Sequence, residues 1–291
     1  MKVDKFRTVI IYIIIILLGL VCLLPLLNIV SISFSSSAAV EGNMVGLIPV
    51  GFSTAAYEKI LEDSQFWHSF LISVERVVLT LIINFVLIVL MAYPLSKTNA
   101  QFRGRNVYAN LMIFAMLFNG GMIPTFLLVK SYGLLNTVWA LVLPGAVPIF
   151  NVILVMNFFA AVPKELEEAA FIDGANPLQV LTKIFIPISK PVLATVSLFS
   201  IVGSWNDFYS GLIYMSKAAY YPLMTYIQSL QINVEDLIKQ GNLSAVVDSA
   251  SLGNTNLNAA KIVVAVIPLL LIYPLLQRYF VSGIVVGSVK G

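Results

Sequence analysis

Charge is what this sequence has least of. Of 291 residues, 11% are Asp, Glu, Lys or Arg, while 59% are hydrophobic. A soluble domain carries about 25% charged residues, whereas a bilayer interior penalises every ionised group. The net charge of +3 is small for a nucleic-acid binder and is better read loop by loop. Cys22 is the single cysteine, so a disulfide within the chain is excluded, and with His68 as the single histidine a Cys/His zinc site is excluded too. Cys22 lies in an apolar run and reads as a packed small hydrophobe, and His68 in "QFWHSF" reads as an interfacial residue. No G-x-x-x-x-G-K-[ST] phosphate loop occurs, so the chain itself should not hydrolyse ATP. Nor is there an internal repeat, which weighs against a transporter of duplicated halves.

What is abundant is long apolar runs. Six are long enough to span a hydrocarbon core of ~30 Å, which takes about 20 helical residues. They lie near Val9–Ile32, Phe70–Leu95, Tyr108–Val129, Thr137–Ala160, Val192–Tyr214 and Ala260–Val281. The runs are continuous rather than alternating, which favours helices over barrel strands. The expected fold class is therefore all-α, a polytopic membrane protein with six transmembrane helices.

Lysine and arginine bias sets the orientation. Lys2, Lys5 and Arg7 precede the first run, and Lys97, Arg103 and Arg105 crowd the connection after the second. The segment Ser33–Ser69 instead carries Glu41, Glu58, Glu62 and Asp63 against Lys59. Both clues place residues 1–8 and the C-terminus in the cytoplasm, with a membrane domain over residues 9–291 and a cytoplasmic loop over 161–190. The first run has some features of a cleaved signal peptide, with "SSSAA" as the processing site, but its length and Pro25 favour a retained helix. Ser33–Ser69 and Ser216–Ala259 fall outside the membrane. They are either solvated loops or surfaces that meet a partner; "YPLMTYIQSLQ" reads as a helix and "SASLGNTNLN" as a loop.

One acidic island breaks the pattern. "ELEEAAFIDGANPLQVLTKIFIP" packs Glu165, Glu167, Glu168 and Asp173 into nine residues on the cytoplasmic side. Pro163 can open a helix, and the glutamates then complement its dipole. Ala169 and Ala170 keep one face thin, and Gly174 is the expected stop in a left-handed cap. Asn176 can cap a second helix that begins at Pro177. Two short helices around a tight turn are either a plain connector or a knob that fits a socket on another protein, its glutamates awaiting basic partners.

Glu168-Ala169-Ala170, Gly174, Ile184 and Pro187 follow the spacing E-A-A-x-x-x-G-x9-I-x-x-P. That pattern resembles the coupling loop of ABC-importer permeases, with Ile186 where the family usually has Leu. The likeness extends along nearly the whole chain: "MAYPLSK", "FNGGMIPTFLLVKSYGLLNT" and "GSWNDFYSGLIY" look like carbohydrate importer permeases. "YPLMTYIQ" and "YPLLQRYFVSGIVVGSVKG" look like the branch associated with complex oligosaccharides and lipo-oligosaccharides. The resemblance implies a type I ABC-importer permease fold and a coupling role for Glu168, Ala169, Ala170, Asp173, Gly174 and Pro187. It implies as partners a second, different permease, two ATPase subunits that carry ATP and Mg, and an extracytoplasmic solute-binding protein. The chain itself would bind no cofactor or metal and would work in a lipid bilayer without nucleic acid.

Asp207 is the costliest residue in the runs, at about 2.5–3.5 kcal/mol for mid-membrane insertion. Trp205, Asn206 and Tyr209 beside it supply aromatic and hydrogen-bonding groups suited to a sugar. Either this group lines the path or Asp207 satisfies a neighbouring helix. Asn119, with Gly120 and Gly121, breaks the third run and is either another path residue or a packing device. Glu75 and Arg76 are expected to snorkel near the outer end of the second run. The rival readings are a permease of the same architecture for an amino acid or peptide, and an ion-coupled secondary transporter. The second would need buried carboxylates in more than one span, and an intramembrane hydrolase would need a nucleophile beside His68.

Overall fold

The computed structural model describes residues 2–118, 120–230 and 255–287. Among them every regular element is helical and no strand occurs. The chain divides into two compact units, one of residues 1–67 and 226–268, the other of residues 68–225 and 269–291.

In the first unit α1 (Lys2–Ser33) is apolar on every side, and its side chains from Val9 to Leu27 are exposed wherever they are large and hydrophobic. Its last turn is polar and buried. Ser31 Oγ donates to the Leu47 carbonyl at 2.6 Å, and Ser33 Oγ meets Tyr57 Oη at 2.8 Å. The "SSSAA" stretch is folded, with Ser36 capping α2 (Ser37–Glu41) and Ser35 buried. α3 (Ala55–Glu62) follows, and Asp63 Oδ1 then accepts the Phe66 amide at the start of α4 (Ser64–Leu95). Lys261 Nζ, on the last helix α14 (Thr255–Gly287), donates to Asp63 Oδ2 at 2.7 Å, and Tyr226 Oη donates to the same oxygen at 2.9 Å. Residues 223–230 are helical, in line with the expectation for "YPLMTYIQSLQ", while residues 231–254 of that connection lie outside the described residues. Thr255–Asn258 opens α14 rather than continuing a loop.

The second unit packs around α4. Ile88, Val89 and Ala92 meet Val152, Val155 and Phe159 of α8 (Ile149–Ala160), together with Val192 and Val196 of α12 (Lys190–Asn206). A separate apolar cluster joins Val129 of α6 (Met122–Ser131), Ala140 and Leu141 of α7 (Val138–Val142), and Tyr214 of α13 (Tyr209–Tyr214).

Among the described residues three helical stretches are long and apolar enough to cross a membrane by themselves: Arg7–Ser33, Ser64–Leu95 and Thr255–Leu275. The number rises to six if each of three bent helix pairs counts as one span. The third expected run is split into α5 (Arg105–Leu117) and α6, with a Pro124-containing first turn after Gly121 at φ +91°. The fourth bends by 48° between Gly145 and Ile149. The fifth, expected to be continuous over Val192–Tyr214, stops at Asn206. Asp207 is extended there (ψ 100°), and its Oδ1 accepts the Ser210 amide at 3.1 Å, which starts α13 afresh. The third bent pair, Pro177–Ile188 and α12, turns by 84° at Ser189.

Candidate functional site

The acidic island folds as two short helices around a glycine turn. α9 (Lys164–Ile172) ends at Asp173, and Gly174 takes φ +80°, the left-handed conformation that a glycine reaches without a Cβ clash. Its amide donates to the Phe171 carbonyl at 3.1 Å, and the Ala175 amide to Ala170 at 2.9 Å, which closes the helix end. α10 (Pro177–Val180) is opened by a reciprocal cap: Asn176 Oδ1 accepts the Gln179 amide and Gln179 Oε1 accepts the Asn176 amide, both at 2.9 Å. Leu181–Phe185 continue as a π turn into α11 (Ile186–Ile188), which contains Pro187.

The four acids are not equivalent. Glu165, Glu168 and Asp173 are exposed, but Glu167 is buried, and both its oxygens take Lys97 Nζ at 2.7 Å. Glu167 therefore finds its cation inside the chain, not on a partner. Lys97 sits over the rings of Tyr93 and Phe185, 4.1 and 4.3 Å from their centroids. Burial pulls its ammonium below the ordinary lysine value, although Glu167 opposes that shift. The result fixes α9 to the end of α4 while leaving an apolar tip open: Phe171, Ile172 (86% exposed) and Leu178 (62% exposed) face outward.

A second feature lies among the apolar helices. Arg76, expected to snorkel, is instead 3% exposed. Its Nη1 donates to the Asp207 carbonyl at 2.9 Å, and its Nη2 to Asp207 Oδ2 at 2.5 Å. The costliest residue of the fifth run is thus neutralised by the second, and the helix break at Asp207 presents both its carbonyl and carboxylate to one guanidinium. The pair borders a cavity of about 250 Å³, lined also by Thr80, Asn84, Asn151, Ser204 and Tyr214.

The expected path residues separate in space. Asp207 lines this cavity. Trp205 is 5% exposed and packs edge-on against Phe70 at 5.6 Å, away from the lining. Asn206 is exposed, and Tyr209 Oη approaches Met122 Sδ at 3.0 Å. Asn119 lies outside the described residues. Arg76, Thr80 and Asn84 were missed, although their four-residue spacing on one helix was readable as a polar stripe.

Residues 78–286 match the family described as the binding-protein-dependent transport system inner membrane component. The chain belongs to that family. It is a transport subunit and not an enzyme, and its fold is that of the type I ABC-importer permeases. A crystal structure of a bacterial ABC transporter involved in the import of the acidic polysaccharide alginate superposes with a TM-score of 0.82. Identity there is 33%, over 96% of this chain and 98% of that one. Protein LplC of Bacillus subtilis (strain 168) is 40% identical over 94% of this chain and 91% of its own. The polygalacturonan/rhamnogalacturonan transport system permease protein YtcP of the same organism is 39% identical, with 99% of both chains covered.

Proposed function

We propose that the chain is one permease subunit of an ATP-driven importer that moves an oligosaccharide delivered by a solute-binding protein. The carrying observation is one chain with a two-helix knob, tip uncovered, and a polar cavity between apolar helices. In this reading residues 1–8 and 161–190 are cytoplasmic, and residues 9–291 form the permease domain in the bacterial cytoplasmic membrane. Glu168, Ala169, Ala170, Asp173 and Gly174 present the knob to an ATPase subunit that holds ATP and Mg, and Pro187 lies in the last turn of the helical stretch that follows. Small side chains allow close approach, and Ile172 supplies an apolar anchor of the kind that buries well in a socket. Asp207, with Asn206 and Tyr209 nearby, belongs to the path, whereas Trp205 supports it by packing. A second, different permease completes the path, and ATP binding drives alternation between two access states.

Relatives named for polygalacturonan and alginate favour a uronate-containing chain over an amino acid or peptide. The test is uptake of oligogalacturonate into proteoliposomes holding the two permeases, the ATPase and the solute-binding protein. Uptake that requires ATP and all components supports the reading. Uptake by the permeases without ATPase would overturn it in favour of an ion-coupled carrier.

A further inference from the structure

Three buried polar atoms of α4 have no partner among the described residues: Arg76 Nε, Thr80 Oγ1 and Asn84 Oδ1. Their residues are 3%, 8% and 4% exposed, and all three line the 250 Å³ cavity. A buried donor or acceptor left unpaired is destabilising, and natural interiors rarely tolerate one. Here three fall at four-residue spacing on one face of one helix, with a rise of about 6 Å per step. Each residue is otherwise well held. The remaining guanidinium nitrogens of Arg76 are engaged by Asp207 and, at 3.5 Å, by the Leu141 carbonyl. Asn84 Nδ2 donates to Ser200 Oγ at 3.2 Å. Thr80 does not make the bond to the carbonyl four residues back that a helical threonine commonly makes.

We infer that Arg76, Thr80 and Asn84 form a ladder that binds the hydroxyl groups of a sugar ring within this subunit. The inference rests on the reading of the chain as an oligosaccharide permease. The ladder offers one donor, one group that both donates and accepts, and one acceptor, which is the complement of a polyol. Tyr214 lines the same cavity. The volume falls just below the ~300 Å³ at which small-molecule pockets begin, so it suits one ring of a chain and not the whole oligosaccharide. Asp207 cancels the charge of Arg76, so a substrate carboxylate finds no net cation here. The ladder therefore reads hydroxyls and is indifferent to whether the sugar is acidic.

Direct binding to the purified complex, without the solute-binding protein, isolates the cavity. The probes are trigalacturonate and its methyl ester, which keep the same ring hydroxyls with and without charge. Both should bind the wild-type complex with similar affinity. Thr80→Val and Asn84→Leu should each weaken both probes by about threefold to tenfold, the loss of one net hydrogen bond, while Thr80→Ser keeps the hydroxyl and stays near wild type. If Thr80→Val fails to assemble, Asn84→Leu against Thr80→Ser decides. Binding of the acid alone, binding of neither probe, or variants that bind as wild type would each overturn the ladder. Uptake of oligogalacturonate by the full system is read separately, so failure of the ladder is distinguishable from failure of the permease reading.

Discussion

Glu167 and Lys97, 70 residues apart in sequence, share one bidentate ion pair in which both oxygens lie 2.7 Å from Nζ. The side chains are 10% and 12% exposed. The pair joins the knob to α4 at the point where α4 leaves the apolar core, and two aromatic rings cover its cation.

Removing one partner of such a pair strands a charge, at a cost of about 3–5 kcal/mol for buried pairs. The residual exposure puts this one near the low end. Lys97→Met should therefore lower the thermal midpoint of the detergent-solubilised complex by several degrees, taking ~2–4 °C per kcal/mol. Lys97→Met/Glu167→Leu should recover much of that loss, because nothing charged is left buried. A double variant as unstable as the sum of both singles would mean that the two residues act independently.

Asp63 gives a pH signature in the other unit. Burial alone would raise its carboxyl, but the Lys261 ammonium, the Phe66 amide and the Tyr226 hydroxyl outweigh that and hold it below its ordinary 3.8. A carboxyl depressed in the folded state adds stability that is fully present above the unfolded value and is lost as pH falls through the folded one. Asp63→Asn should therefore be less stable than wild type at neutral pH. The gap should stay constant down to about pH 4 and narrow only below it. Thermal midpoints of both proteins across pH 3–7 measure this. A gap that closes already between pH 7 and 5 would assign the dependence to another group.

Local signals made much of the fold legible. Asn176 and Pro177 announced a helix start, Gly174 a left-handed stop, and the apolar runs a helical membrane protein, because caps and hydrophobic runs act within a few residues. Pairing across the chain was not legible. Arg76 meets Asp207 131 residues away, and Lys261 meets Asp63 198 residues away. In sequence Arg76 read as a snorkelling residue and Asp207 as a costly acid inside an apolar run, while Asp63 was one acid among several in its connection. Glu167 looked interchangeable with Glu165 and Glu168, since only packing on α4 decides which of the three is buried. The break at Asp207 was hidden for the same reason: the hydrophobic run continues through it, and a backbone turn capped by its own carboxylate leaves hydropathy unchanged.

Gly174 separates strain within the chain from fit against a partner. Its φ of +80° disfavours any L-residue, by about 1–2 kcal/mol for most and less for Asn, whose side chain tolerates this region. Among the described residues nothing lies within 4 Å of a Cβ built there, so the isolated chain has room for a side chain. Gly174→Asn and Gly174→Val should both insert into the membrane and keep their spans, because the turn lies outside the apolar core. They should diverge on assembly if the knob is seated in a socket, where added volume is tolerated poorly. Gly174→Val, strained and bulky, should lose co-purifying ATPase and ATP-dependent uptake. Gly174→Asn should lose less of both. Co-purification, uptake and hydrolysis rate can be read on the same preparations. Loss of insertion in either variant would assign the glycine to folding, and full uptake by Gly174→Val would make the two-helix loop a connector with no docking role.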